Sequence, residues 1–182
     1  MSVFIWSAFI IVTAVEAYII FRFARQREWA LLKAVVPPYV LLAVFMLTAH
    51  FARLRIPDVA MILAFISLLS HTFLGFSLRL YERSKTFDRY VHALGCFAYG
   101  PVAYFALASL FNETIPTLFA AIIIASMGIT LGVFVEIIEF AADSSKKKEI
   151  KQQKGLRDTN FDLIFDVIGA ALGGAFAYFL LL

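Results

Sequence analysis

The residues best able to do chemistry in this chain are one histidine and a set of carboxylates at helical spacing. Asp88 and His92 are four apart, Glu136 and Glu139 three apart, and Asp158, Asp162 and Asp166 step by four. Residues three or four apart share one face of a helix. An imidazole titrates near neutral pH, so His92 suits the role of general base or nucleophile. Asp88, one turn away, could fix its tautomer. Glu136, Glu139, Asp162 and Asp166 offer hard oxygen ligands, which suit Ca²⁺, Mg²⁺ or Mn²⁺ rather than a soft metal. Such an ion would neutralise the acids and bind a phosphodiester. Arg89 and Arg157 are placed to hold phosphate oxygens.

The elements that carry these residues are membrane helices. Of 182 residues, 62% are apolar and only 16% charged, and the mean hydropathy is +0.87. A soluble globule of this size could not hide that much apolar side chain. The composition excludes a soluble enzyme, a disordered chain and a disulfide scaffold. The net charge of +3 is too small to suggest nucleic acid. A span needs about 20 apolar residues, and six segments qualify: Val3 to about Phe23, Trp29 to about Ala49, Pro57 to about Leu80, Tyr90 to Phe111, Ile115 to Ala142, and about Phe161 to Leu182. The expected fold is therefore an all-α polytopic membrane protein, a single transmembrane domain over residues 1–182. The first apolar segment has no basic n-region or clean cleavage site and reads as a retained helix. Pro37-Pro38 should kink the second span.

Fourteen of the 16 basic residues fall in the first, third and fifth connections; only Arg53 and Arg55 share a side with the termini. The positive-inside rule places the fourteen in the cytoplasm and both termini outside. In that orientation Asp88, Arg89 and His92 open the fourth span, Glu136 and Glu139 close the fifth, and Asp158, Asp162 and Asp166 open the sixth. All lie at the cytoplasmic end. Ionisable groups at span depth are costly unless they face a cavity or a partner, so this convergence reads as a functional pocket. Gly128 and Gly132, with Gly169 and Gly173, form small-residue stripes along which the fifth and sixth spans should touch. Plainer roles are expected for other residues. Asp158 suits a helix N-terminus, the Lys146–Lys154 run a solvated loop near anionic lipid, and Cys96 a small core position. Arg89 also fits an interfacial anchor. His71 and Glu16 either pack as isolated polar residues or face the same cavity.

Asp88-Arg-Tyr-Val-His92 resembles the D-[KR]-x-x-H signature of VanZ-like membrane proteins. Glu136-Ile-Ile-Glu139 is similar to their E-x-x-[QE] helix end, and Asp162 to Gly173 to their D-x-x-x-[ND]-x-x-G-x-x-x-G close, with Asp166 where those proteins usually have Asn. Glu-x-x-Glu, with Gly155-Leu-Arg-Asp158 ahead of Asp162, looks closer to the uncharacterised YjdF-like branch. The resemblance covers residues 88–182, the last three spans. It implies a bacterial cytoplasmic-membrane protein and chemistry on phospholipid or polyprenyl-phosphate head groups, with a membrane lipid as partner. The Asp-Gly and Ala-Arg pairs of CDP-alcohol phosphotransferases and the paired Asp-rich motifs of membrane prenyltransferases are absent. Head-group exchange or transfer at the cytoplasmic leaflet is the expected reaction class. A proton-coupled transporter and a non-catalytic lipid-binding scaffold are the alternatives. The sequence leaves oligomeric state open.

Overall fold

A computed structural model describes residues 1–111, 115–144 and 155–182. The described residues form helices and no strands: α1 (Val3–Arg25), α2 (Trp29–Phe51), α3 (Asp58–Leu69) continuing into a π-helical stretch (Ser70–Ser77), a short α4 (Leu80–Arg83), α5 (Phe87–Ala108), α6 (Thr117–Ser144) and α7 (Leu156–Leu180). Six of these units are long and apolar enough to cross a membrane, the third being Asp58–Ser77. The last span begins at Leu156, about a turn and a half before the sequence suggested, because the Gly155 carbonyl already accepts from the Asp158 and Thr159 amides.

The burial pattern is inverted relative to a soluble protein. Ile10, Leu41, Phe134, Ile138 and Phe179 face outward, whereas Glu16, Thr72, His92, Asp162 and Asp166 are buried. Lipid solvates apolar side chains, so the polar groups are the ones driven inward. Short ties close both ends of the bundle. At one end the Ser2 hydroxyl donates to Asp58 (2.5 Å) and the Arg55 amide to the Ser109 hydroxyl (2.7 Å). At the other, Arg22 reaches the Ser77 carbonyl (3.1 Å), and Arg79 pairs with Glu28 (2.9 Å) and Glu82 (3.0 Å).

α2 is helical throughout Trp29–Phe51, Pro37 and Pro38 included. Pro38 has no N–H, so the Ala34 carbonyl one turn earlier loses its helical partner. The His71 ring bonds the Ala34 backbone instead, the kind of substitution that makes proline tolerable in membrane helices. One sequence expectation changes: the two glycine stripes do not face each other. A Cβ at Gly173 would stand 2.8 Å from the Phe97 carbonyl oxygen on α5, and one at Gly169 would strike the Ala93 backbone, also on α5. Gly174 meets α6 at the Ala121 carbonyl (2.7 Å), and Gly128 meets both the Cys96 carbonyl of α5 (2.7 Å) and the Ala170 methyl of α7 (2.9 Å). One residue turns a helix by about 100°, so neighbouring small residues on α7 serve two different partners. The result is a close-packed trio, α5, α6 and α7, with α3 laid against α5 and the α1–α2 pair outside it.

Candidate active site

The trio brings its polar residues to one end. His92 lies on the first turns of α5, with 8% of its surface exposed. Its Nδ1 is 3.2 Å from Asp166 Oδ1 on α7, and its Nε2 is 3.7 Å from Glu136 Oε1 on α6. If Nδ1 donates to Asp166, Nε2 presents its lone pair toward Glu136, an arrangement that calls for a proton or a cation between them. Asp166, only 1% exposed, also accepts from the Cys96 thiol at 3.1 Å. Gly132 makes this possible, because a side chain there would occupy the space of the Asp166 carboxylate. The carboxylate that orients His92 is thus Asp166 on another helix, whereas the sequence suggested Asp88. Cys96 is buried as expected, and its thiol serves as a hydrogen-bond donor.

The four carboxylates expected to share one cation occupy different settings. Glu136 and Glu139 group with His92, with one ligand atom from each within 4.8 Å of the others. Asp162 groups in the same way with Asp88 and Asp158. Asp166 stays behind His92. Arg89 lies over the Phe161 ring with its guanidinium carbon 4.2 Å from the ring centre, and Arg157 lies 5.7 Å from that centre. Both arginines thus converge on one aromatic ring of α7, Phe161. The Lys146–Lys154 run lies outside the described residues.

A cavity of about 730 Å³ opens beside this cluster. Asp88, His92, Glu139 and Asp166 stand on its wall, and Glu136, Asp162, Arg89 and Arg157 do not. Its remaining wall is largely apolar and includes Leu31 and Pro38 of α2, Leu68 of α3 and Leu131 and Val135 of α6. The second and third spans, with α4, thus form one side of the chamber. His71 lines it, whereas Glu16 is buried on α1 and accepts from the Thr72 hydroxyl (2.5 Å) outside it.

Tyr81 escaped sequence reasoning. Its hydroxyl is 2.7 Å from His71 Nδ1. A neutral imidazole satisfies both contacts, donating to the Ala34 carbonyl and accepting from Tyr81. The Tyr81 ring packs directly against Gly75, where a Cβ would meet its Cδ2 at 2.8 Å, and on Phe76 and Phe87 with ring centres 4.9 and 5.2 Å apart. Tyr81 holds its proton well above the ordinary phenol range, because it is buried and because Asp88, Glu139 and Asp162 place negative charge near it. The one hint in the sequence was Gly75 followed by an aromatic pair, Phe76 and Tyr81. The π-helical stretch that brings them together has no signature in the sequence. Such stretches often occur at functional sites.

The fold and site define a polytopic helical membrane protein with an amphipathic internal chamber. Across residues 4–182 the chain matches the family described as predicted membrane protein (DUF2238), and it belongs to that family. It is similar to an uncharacterised protein of Thermotoga maritima, 33% identical over 117 residues, a match covering 63% of this chain and 59% of the relative. The chain thus spans less than two thirds of that relative's length. No solved structure matches the chain.

Proposed function

We propose that this protein is an integral membrane enzyme acting on a phospholipid or polyprenyl-phosphate head group at the cytoplasmic leaflet, by head-group exchange or transfer. The observation that carries the reading is the chamber itself, with His92, Asp166, Asp88 and Glu139 on an otherwise mostly apolar wall. A lipid has the same division, a charged phosphodiester joined to hydrocarbon. In the proposed step His92 Nε2 takes the proton of an incoming hydroxyl while its oxygen attacks phosphorus. The bond to the departing head-group oxygen breaks, and His92 returns the proton to it. Asp166 holds the ring, Glu136 and Glu139 lie beside it, Arg89 and Arg157 attract phosphate, and a divalent cation (Ca²⁺, Mg²⁺ or Mn²⁺) offsets the acids. The resemblance of residues 88–182 to VanZ-like and YjdF-like proteins supports a shared core in the last three spans. The concentration of basic residues at this end supports a bacterial cytoplasmic membrane with both termini outside.

A second reading, a proton-coupled carrier, is favoured by the Glu16–Thr72 pair, a fully buried carboxyl well inside α1. Lipid mass spectrometry separates the two. Membranes carrying wild type are compared with His92→Ala and Asp166→Asn at matched protein levels. A phospholipid or polyprenyl species that changes with wild type and reverts in both variants is the expected result. Identical lipid profiles with both variants folded would overturn the enzyme reading.

A further inference from the structure

We propose a divalent-cation site formed by Asp88 at the start of α5 and Asp158 and Asp162 on the first turns of α7, separate from the His92–Glu136–Glu139 group. One carboxylate oxygen from each of the three lies within 4.8 Å of the others. A hard cation bound at about 2.0–2.6 Å spans oxygen pairs up to about 5 Å apart, so the three are close enough to converge on one ion. The independent sign of a ligand is Asp162. It is 3% exposed, yet its Oδ1 has no hydrogen-bond partner among the described residues. A buried carboxylate oxygen left in this state is costly, and its nearest grouping consists of further carboxylates. An all-oxygen set favours Mg²⁺, Ca²⁺ or Mn²⁺ over zinc or copper.

The site also has an outlet. Asp88 belongs both to this group and to the wall of the chamber. An ion held here stands at the chamber's polar end with coordination positions left for phosphate oxygens or water. Only this use of the ion rests on the head-group function proposed above; the site itself rests on the three aspartates.

The probe is Mn²⁺ alone, titrated into the purified full chain in detergent and followed by the loss of its free electron paramagnetic resonance signal. Wild type is expected to bind Mn²⁺ and to release it to excess Mg²⁺ or Ca²⁺. Asp162→Asn and Asp158→Asn are each expected to weaken binding at least about tenfold, and His92→Ala and Glu139→Gln to leave it within about twofold. Thermal unfolding without metal guards against misfolding, because Asp162→Asn removes a like charge and should not lower the midpoint. No binding by wild type would overturn the proposal. Loss of binding in His92→Ala with retention in Asp162→Asn would overturn it in favour of the His92 group. Mn²⁺ binding alongside an unchanged lipid profile would keep the cation site and reject the head-group function.

Discussion

Gly132→Ala should dismantle the pairing of His92 with Asp166 without touching either residue. The added methyl falls on the Asp166 carboxylate and 2.8 Å from the Cys96 sulfur. Restoring an ordinary separation of about 3.5 Å requires the carboxylate to move by about 1 Å. Its contacts with His92 and Cys96, now 3.2 and 3.1 Å, would then exceed hydrogen-bonding distance. Overpacking a filled site costs about 1–3 kcal/mol, and losing a hydrogen bond to a charged group about 1.5–3 kcal/mol. The sum, about 2.5–6 kcal/mol, corresponds to a fall on the order of 10 °C in Tm for a chain of this size. The assay is thermal unfolding of the purified protein in detergent, repeated in an Asp166→Ala background. There the carboxylate is gone and only the thiol obstructs the methyl, so the additional cost should drop to about 1 kcal/mol. Equal losses in the two backgrounds would show that the methyl strikes something other than Asp166. No loss in wild type would refute the packing described here.

Three further substitutions test the packing and the Tyr81 contact. Gly169→Ala drives a methyl into the Ala93 backbone, which has no side-chain rotation to relieve it; it should cost about 2 kcal/mol or more by separating α5 from α7. Gly95→Ala, whose nearest neighbour is the Ser67 hydroxyl at 3.9 Å, should cost less than about 0.5 kcal/mol, and unfolding midpoints of the pair measure the contrast. Tyr81→Phe should lower stability by about 1 kcal/mol at neutral pH through the lost bond to His71. It should also flatten the alkaline fall in Tm. The folded phenol is held above its ordinary value of 10.0, so above that pH the unfolded chain loses a proton that the folded chain keeps, and stability declines as pH rises. Parallel Tm slopes for wild type and Tyr81→Phe between about pH 9 and 11 would contradict this.

The number and rough limits of the spans were legible in the sequence, because the bilayer demands about 20 apolar residues whatever the neighbours are. So was the gathering of Asp88, His92, Glu136, Glu139, Asp158, Asp162 and Asp166 at one end, since antiparallel spans bring alternate connections to the same face. Which of them meet was not legible. Helical spacing reports neighbours within one helix, and it pointed His92 to Asp88. The partner is Asp166, 74 residues away, chosen by how closely α5 and α7 approach at Gly169 and Gly173. The same holds for the glycines, whose spacing marked them as contacts without naming the helix opposite. The first three spans carried no recognisable motif, yet the second and third, with the short α4, supply one wall of the chamber through Pro38, His71 and Tyr81. That role depends on a carbonyl released by a proline in α2 and a π-helical stretch after α3. Composition and periodicity set what each segment must bury; rotation and separation between helices, which no single segment encodes, decided the chemistry each buried group can do.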